Sequence, residues 1–457
     1  MNDRGGERAS RVQLDPVRAS AGRILLRWKR GHQTIEELLE HETGETQLDH
    51  KARSRLRELL FGCMHLLGRH EFVLRRHARR GAKMPDAAWV CLVLALQEIE
   101  EMRTPDHAAV DQAVLLCRRL GAPHAARFVN GLLRTALREG LSKGLPDAEL
   151  DPIGHAIHAL SHPEWIVRRW ATALGPAEML RLCATNNRRP DLVLRCSPGR
   201  RDAVGAQLTR LAIEWEATRA PDGLRLVSRL PVPDLLFELG ESAAVQDEAA
   251  QCVAPLLAMK SPALVVDLCA APGGKSCHLA QLLPNARIVA MDASAARLAR
   301  VAANAQRLRL PNVETVVADA RRPPLLPSSV DAILLDAPCL GTGVMARRHD
   351  LRWRRREADL QGLTLLQRQL LDAAAALLKP GAMLVYATCS LEPEENERIV
   401  EGALERHPEL EEIAADDAEI GMDTRPDVSF FDGGRLRIWP QRHGCDGAFA
   451  ARLRRRA

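Results

Sequence analysis

Asp267-Leu268-Cys269-Ala270-Ala271-Pro272-Gly273-Gly274-Lys275-Ser276 joins a short apolar run, 263–268, to a helical pattern that continues to about Leu283. Small residues and two adjacent glycines at a strand-to-helix junction let a ligand approach the backbone at a helix N-terminus. Asp292 closes the next apolar run, 18 residues past Gly274, where a carboxylate suits the two hydroxyls of a ribose. The loop is not G-x-G-x-x-G, and Pro272 occupies a position that a pyrophosphate loop needs open. Nor is it a Walker A loop. A nucleoside without a pyrophosphate fits better, and S-adenosyl-L-methionine is the usual one. Taken alone, the ten residues also read as a structural turn with no ligand.

The same alternation continues on both sides. Runs 263–268, 287–291, 313–317, 331–335 and 382–386 read as short strands, with helices near 274–283, 293–308 and 356–378 between them. Near-continuous apolar strands alternating with helices mean a parallel sheet covered on both faces, with its ligand at the carboxyl ends of the strands. Residues 241–457 are thus expected to form a Rossmann-like α/β domain.

Upstream the pattern changes. From Asp15 to about Gly140 it is helical throughout: Leu56, Leu59, Leu60, Cys63 and Leu67 recur at helical spacing, as do Val129, Leu132, Leu133, Ala136 and Leu137. Turns are expected at Gly81–Pro85, Thr104–Pro105 and Gly121–Pro123, and residues 1–15 are polar. This predicts an all-α domain of six to eight helices, bounded at 15–143. Residues 151–240 read as a small α+β module, with a helix opening at Pro163, strands at 192–195 and 224–227, and a helix from Asp202 to Thr218.

Composition narrows the function. The chain has 457 residues with 46% hydrophobic and 27% charged side chains, a globular balance that excludes wholesale disorder. No apolar run approaches the roughly 18 residues of a membrane span. The polar start lacks a secretory h-region. Eleven cysteines without paired spacing read as reduced cytosolic thiols, and the lack of any CxxC argues against a zinc site. The net charge is +5, and residues 1–150 carry 25 basic against 20 acidic side chains, so the surplus sits in the helical region. That suggests a polyanionic partner. The stretch Arg69–Arg80, rich in arginine, reads either as a solvated helix face or as a phosphate contact. With 3% aromatics, no stacking platform for single strands is visible.

More chemistry sits at the strand ends. The third strand ends in Ala318-Asp319, the fourth in Asp336-Ala337-Pro338-Cys339 followed by Gly341-Thr342-Gly343, and the fifth in Thr388-Cys389-Ser390. Carboxylates there are costly unless they meet something polar. Asp319 suits an adenine amino group, or is a plain loop carboxylate. Either cysteine alone most often just packs. Both at strand ends beside a cofactor loop suggest one shared cleft.

Asp267–Ser276, Asp336–Cys339 and Thr388–Ser390 with Pro393-Glu394-Glu395-Asn396-Glu397 resemble the RNA 5-methylcytosine methyltransferases of the RsmB/Sun/Nop2 group. Val245-Gln246-Asp247 with Ala250-Gln251, Arg347–Trp353 and Asp446–Leu453 extend the likeness. His107–Val110 and Val129–Arg134 resemble the NusB-type helical domain joined to the RsmB/Sun family. Two departures are a missing proline between His349 and Asp350, and Ala448-Phe449 in place of a pair of aromatics. Neither touches the catalytic positions; both bear on RNA contacts.

The resemblance implies methylation of carbon 5 of a cytidine in 16S rRNA, with Cys389 as nucleophile, Cys339 aiding proton removal and release, and Asp336 contacting the base. It implies cofactor binding by Cys269, Ala270, Ala271, Pro272, Gly273, Gly274, Lys275, Asp292, Asp319 and Asp336, with no metal. DNA cytosine methyltransferases use similar chemistry but place the nucleophile in a Pro-Cys motif, so spacing alone leaves the two cysteines interchangeable. The basic run Arg347, Arg348, Arg352 and Trp353, with Arg354–Arg356, reads as an RNA-gripping loop or a solvated charge run. A cytoplasmic enzyme with an rRNA partner and no membrane is the expectation. The rival readings are a non-catalytic RNA-binding or antitermination factor with a vestigial methyltransferase domain, and a tRNA methyltransferase.

Overall fold

The computed structural model describes residues 13–45, 48–78, 84–227, 232–257, 259–423 and 428–457. The chain divides into two compact units. One is Met1–Asn187 with Arg348–Arg354; the other is Arg188–Arg347 with Arg355–Ala457. The polar start through residue 12, Arg79, Arg80 and the 81–83 part of the expected turn lie outside the described residues.

The first unit is helical. Between Pro16 and Glu139 the described residues hold seven α-helices: Pro16–Arg30, Ile35–Glu45, His50–His65, Leu67–His77, Asp86–Glu100, Asp106–Arg119 and Ala126–Glu139. Local chemistry sets their ends. Asp15 caps the first helix by accepting from the Val17 amide, with proline in its first turn, and Asp49 caps the third through the Ala52 amide. Gly140, at φ +91°, ends the helix Ala126–Glu139. The segment Asp86–Glu100 is apolar on nearly every side, so it runs through the middle, with Ala87 to Glu98 all buried. The helical repeats at Leu56–Leu67 and Val129–Ala136 face this core. The expected helix after Pro163 is Glu164–Leu174.

Within the second unit, the small sheet is antiparallel with strand order β2-β3-β1-β4, from β1 (Leu192–Cys196), β2 (Trp215–Ala217), β3 (Gly223–Leu226) and β4 (Ala243–Val245). One expectation fails here. The helix from Asp202 stops at Arg210, and Trp215–Ala217 is a strand. Ala212 turns the chain at φ +57°, and Trp215 then folds back on the helix. It can do so because Gly205 has no Cβ; a Cβ there would lie 2.5 Å from the indole.

The large sheet contains β5 (Leu264–Asp267), β6 (Arg287–Asp292), β7 (Val313–Val317), β8 (Val330–Asp336), β9 (Leu378–Thr388), β10 (Leu410–Glu412), β11 (Phe431–Asp432), β12 (Arg435–Ile438) and β13 (Ala448–Arg455). Its order is β11-β12-β13-β9-β8-β5-β6-β7, with β10 also on β13. Strands β5 to β9 pair in parallel, and β10 to β13 add an antiparallel flank that the strand-and-helix alternation does not reveal. Strand order reverses between β5 and β8, which opens a crevice at their carboxyl ends, the usual ligand position in such sheets. Asp267 and Asp336 end those two strands.

Candidate active site at the strand ends

The loop after β5 is built for close approach. Gly273 sits at φ +101°, and a Cβ there would lie 2.9 Å from the Val301 Cα, so no other residue fits without a shift. It precedes the helix Gly274–Leu282, and its amide donates to the Ala270 carbonyl at 2.7 Å. Three carboxylates converge here. Burial first, then Asp267, Asp336 and Asp292, push the Cys269 thiol well above its ordinary value.

Each carboxylate is held differently. Asp267 is buried and accepts from Ser276 Oγ at 2.5 Å, while its Oδ1 has no hydrogen-bond partner among the described residues. Burial raises its carboxyl to about 7. Asp292 is buried too; it accepts from the Ser294 amide at 2.9 Å and from Arg297 at 2.7 Å. Asp336 accepts from Lys275 Nζ at 2.7 Å. Burial pulls the Lys275 ammonium down, but Asp336, Cys389 and Asp267 outweigh it and hold it above its ordinary value.

Beside this pair lie the two cysteines. Cys339 Sγ and Cys389 Sγ are 3.4 Å apart, although 50 residues separate them in the chain. Cys339 is buried and Cys389 partly exposed. The contact with Cys389 and burial drive the Cys339 thiol well above its ordinary value, helped by Glu395. The backbone around both sulfurs is pinned. The Gly343 amide donates to the Cys389 carbonyl at 2.9 Å, and the Leu391 amide donates to Thr342 Oγ1 at 2.7 Å. Thr388 Oγ1 donates to Asn396 Oδ1 at 2.6 Å, and Asn396 Nδ2 donates to the Ser390 carbonyl at 2.9 Å.

The other expected residues fall elsewhere. Asp319 is exposed and gripped by Arg321, whose guanidinium and amide hold its carboxyl at about 2. It borders a cavity of about 600 Å³ together with Arg321, Arg322, Gln369, Asp372 and Ala373. Arg347 is clamped between Asp247 at 2.6 Å and Asp446 at 2.8 Å. Arg348 is exposed. Arg352 and Trp353 are turned inward rather than set in a free basic loop. Arg352 is fully buried in the helical unit, donating to the Ser161 and Asn186 carbonyls and to Asn187 Oδ1 at 3.0–3.2 Å. Trp353 Nε1 donates to the Met64 carbonyl at 2.6 Å, and its ring packs on the helical core. The arginines of Arg69–Arg80 that are described pair internally, Arg69 with Glu100, Arg75 with Glu71 and Arg76 with Glu139.

Sequence reasoning gave no role to Asp267 or Glu395. A carboxylate ending an otherwise apolar strand was the available signal for Asp267. For Glu395, nothing in its acidic neighbourhood distinguishes it from Glu394 or Glu397.

A group of carboxylates at a helix start, two of them partly offset by Lys275 and Arg297, suits a cationic nucleoside. S-adenosyl-L-methionine carries a sulfonium and an ammonium, and Asp267, Asp292 and Asp336 with the Gly273 cradle match that charge. Among the described residues no group of His, Cys, Asp and Glu is arranged to hold a metal, and no helix is long and apolar enough to cross a membrane.

Three family descriptions match successive parts of the chain. Residues 254–454 match the family described as 16S rRNA methyltransferase RsmB/F, residues 15–138 match the NusB family, and residues 162–233 match the ferredoxin-like domain of RsmF/B-like methyltransferases. Ribosomal RNA small subunit methyltransferase B of Sodalis glossinidius is 37% identical over 85% of this chain and 90% of its own. A probable ribosomal RNA small subunit methyltransferase B of Bacillus subtilis is 31% identical over 96% of this chain and 99% of its own. The crystal structure of PH0851 covers 97% of this chain and 100% of its own, with a TM-score of 0.76 and 25% identity. The chain therefore belongs to the 16S rRNA methyltransferase RsmB/F family, as an S-adenosyl-L-methionine-dependent rRNA methyltransferase with a NusB-family helical domain.

Proposed function

We propose that the chain methylates carbon 5 of one cytidine in 16S rRNA through a covalent bond between Cys389 and carbon 6. The observation that carries this is the pair of sulfurs 3.4 Å apart, beside the Lys275–Asp336 ion pair, at the ends of adjacent parallel strands β8 and β9.

Carbon 5 of cytosine is a weak nucleophile. Addition of the Cys389 thiolate to carbon 6 moves the ring electrons to carbon 5, dividing one hard step into easier ones. S-adenosyl-L-methionine, when bound, supplies an electrophilic methyl group. The loop Cys269–Lys275 with Asp292 would hold the cofactor, and Asp319 would join them only by exchanging its Arg321 pair for the cofactor. Asp336, fixed by Lys275, meets the base near N3 and the amino group and favours the charge that builds there as sulfur adds.

Coupling between the sulfurs orders the later steps. While Cys389 is a thiolate, its charge keeps the proton on Cys339. Once Cys389 is consumed as a thioether, that charge is gone; burial and Glu395 still oppose a Cys339 thiolate, but the largest obstacle to ionising it has been removed, and a base from solution takes its proton. The Cys339 thiolate then takes the proton from carbon 5. Those electrons restore the ring double bond, the bond from carbon 6 to sulfur breaks, and Cys389 leaves as a thiolate. The target base must be out of its stack for this attack on its face.

In this reading residues 15–143 and 151–240 bind RNA and 241–457 catalyse, in the cytoplasm. The experiment is transfer of labelled methyl to unmodified 16S rRNA, followed by bisulfite mapping. One protected cytidine is expected. Label on another base, or on another atom of cytosine, overturns the reading.

A further inference from the structure

Two adjacent thiols with one proton between them pose a choice, since either sulfur can be the thiolate. The two sides of the pair differ. On the Cys389 side lies the Lys275 ammonium, whose proton is held in part by Cys389. On the Cys339 side lies Glu395, fully buried.

The nitrogens that meet the Glu395 carboxylate are all donors. The amide of Leu340, the residue after Cys339, donates to both oxygens at 3.0 and 3.2 Å. Gln367 Nε2 donates to Oε1 at 2.9 Å and to the Pro338 carbonyl at 2.9 Å. The three bonds from nitrogen cannot be reversed, so they favour the anion, while the Ser390 hydroxyl serves either form. Burial raises its carboxyl above the ordinary value, and the bonds from Ser390, Gln367 and Leu340 pull it back. Its own carbonyl accepts from Tyr386 Oη at 2.6 Å, which ties it to strand β9. In its anionic form Glu395 is thus fixed against the Pro338-Cys339-Leu340 turn. A charge of opposite sign also meets this turn: the Arg355 guanidinium donates to the Cys339 carbonyl at 3.1 Å.

We infer that Glu395 is a positioning residue that selects the nucleophile: its fixed negative charge beside Cys339 keeps the shared proton on that sulfur and leaves Cys389 as the thiolate. Lys275 favours the same outcome from the opposite side. The charge acts through Cys339, and Glu395 itself touches neither base nor cofactor. This rests on the proposed roles of the two cysteines.

The coupling can be read as a cycle of variants. Glu395→Gln keeps an oxygen for the Leu340 amide but removes the charge. In the full-length protein with unmodified 16S rRNA, it should slow first-turnover methyl transfer about tenfold, one unit of thiol preference. In a Cys339→Ala background no rival thiol exists. There Glu395→Gln should leave the first-turnover rate unchanged within twofold. Glu395→Asp, which retains the charge, should recover most of the rate in the parent background. Equal slowing by Glu395→Gln in both backgrounds would show a merely structural role and overturn the inference, as would no slowing in either. If Cys339→Ala alone neither transfers methyl nor forms an adduct, the cysteine roles themselves fall, and selection by Glu395 falls with them.

Discussion

The loop 267–276 and the basic stretch 347–354 carry equally suggestive sequences, and only the first has the placement its sequence implies. In the loop, the residues constrain their own backbone. Gly273 has a positive φ and no room for a Cβ, and Asp267 ends a buried strand, so the pattern can be built in few other ways. In the basic stretch the residue type leaves its destination open. An arginine satisfies phosphates, carboxylates or carbonyls equally well. Here Arg347 takes two aspartates, Arg352 takes backbone carbonyls in the helical core, and Arg348 alone of the three is exposed. Chains that bury arginine do so through tertiary partners that are distant in sequence, such as Ser161 and Asn186 for Arg352, and no local spacing reports them.

The largest expected effect sharpens this contrast from the buried side. Arg352→Ala should destabilise the protein by roughly 2–4 kcal/mol, because each acceptor stranded in the core costs about 1–3 kcal/mol. Thermal unfolding measures it, and rRNA affinity per folded molecule should be unchanged. A variant of parental stability that binds rRNA weakly would restore Arg352 to an RNA-gripping role.

On the loop side, Asp292→Ala should weaken cofactor binding by roughly 1.5–3 kcal/mol, the worth of a charge-assisted hydrogen bond. Calorimetry with a folded variant decides it. Unchanged binding would leave Asp292 serving only Arg297 and Ser294. The smallest effect belongs to the exposed member of the basic stretch. Arg348→Ala should lower rRNA affinity only severalfold and make its salt dependence shallower by about one charge. An unchanged salt slope would make Arg348 a solvated surface charge.

The same distinction explains what could be read in advance. Strands β5 to β8 and the helices between them follow from apolar runs of four to seven residues set off by polar helical segments. The strands β10, β11 and β12, of two to four residues, carry no such pattern and exist because β13 and its neighbours offer them an edge. Trp215–Ala217 was hidden inside a helical-looking run because its position depends on space left by Gly205. In the site, each cysteine was visible at a strand end, since a strand's end points into the crevice. That the sulfurs touch, that Lys275 is tied to Asp336, and that Glu395 stands behind Cys339 are consequences of sheet order, which brings β8 and β9 side by side across 50 residues of chain.

The central claim is that the two touching sulfurs have unequal roles, and trapping a protein–RNA adduct tests it most directly. Cys389→Ser, Cys339→Ala and the double variant are each incubated with cofactor and unmodified 16S rRNA and resolved by denaturing electrophoresis. Cys339→Ala should add through Cys389, transfer methyl, and then stall, leaving a denaturation-resistant protein–RNA species. Cys389→Ser and the double variant should show none, since a hydroxyl is far less ionised than a thiol near neutral pH. An adduct trapped in Cys389→Ser and missing from Cys339→Ala would contradict the account and make Cys339 the nucleophile.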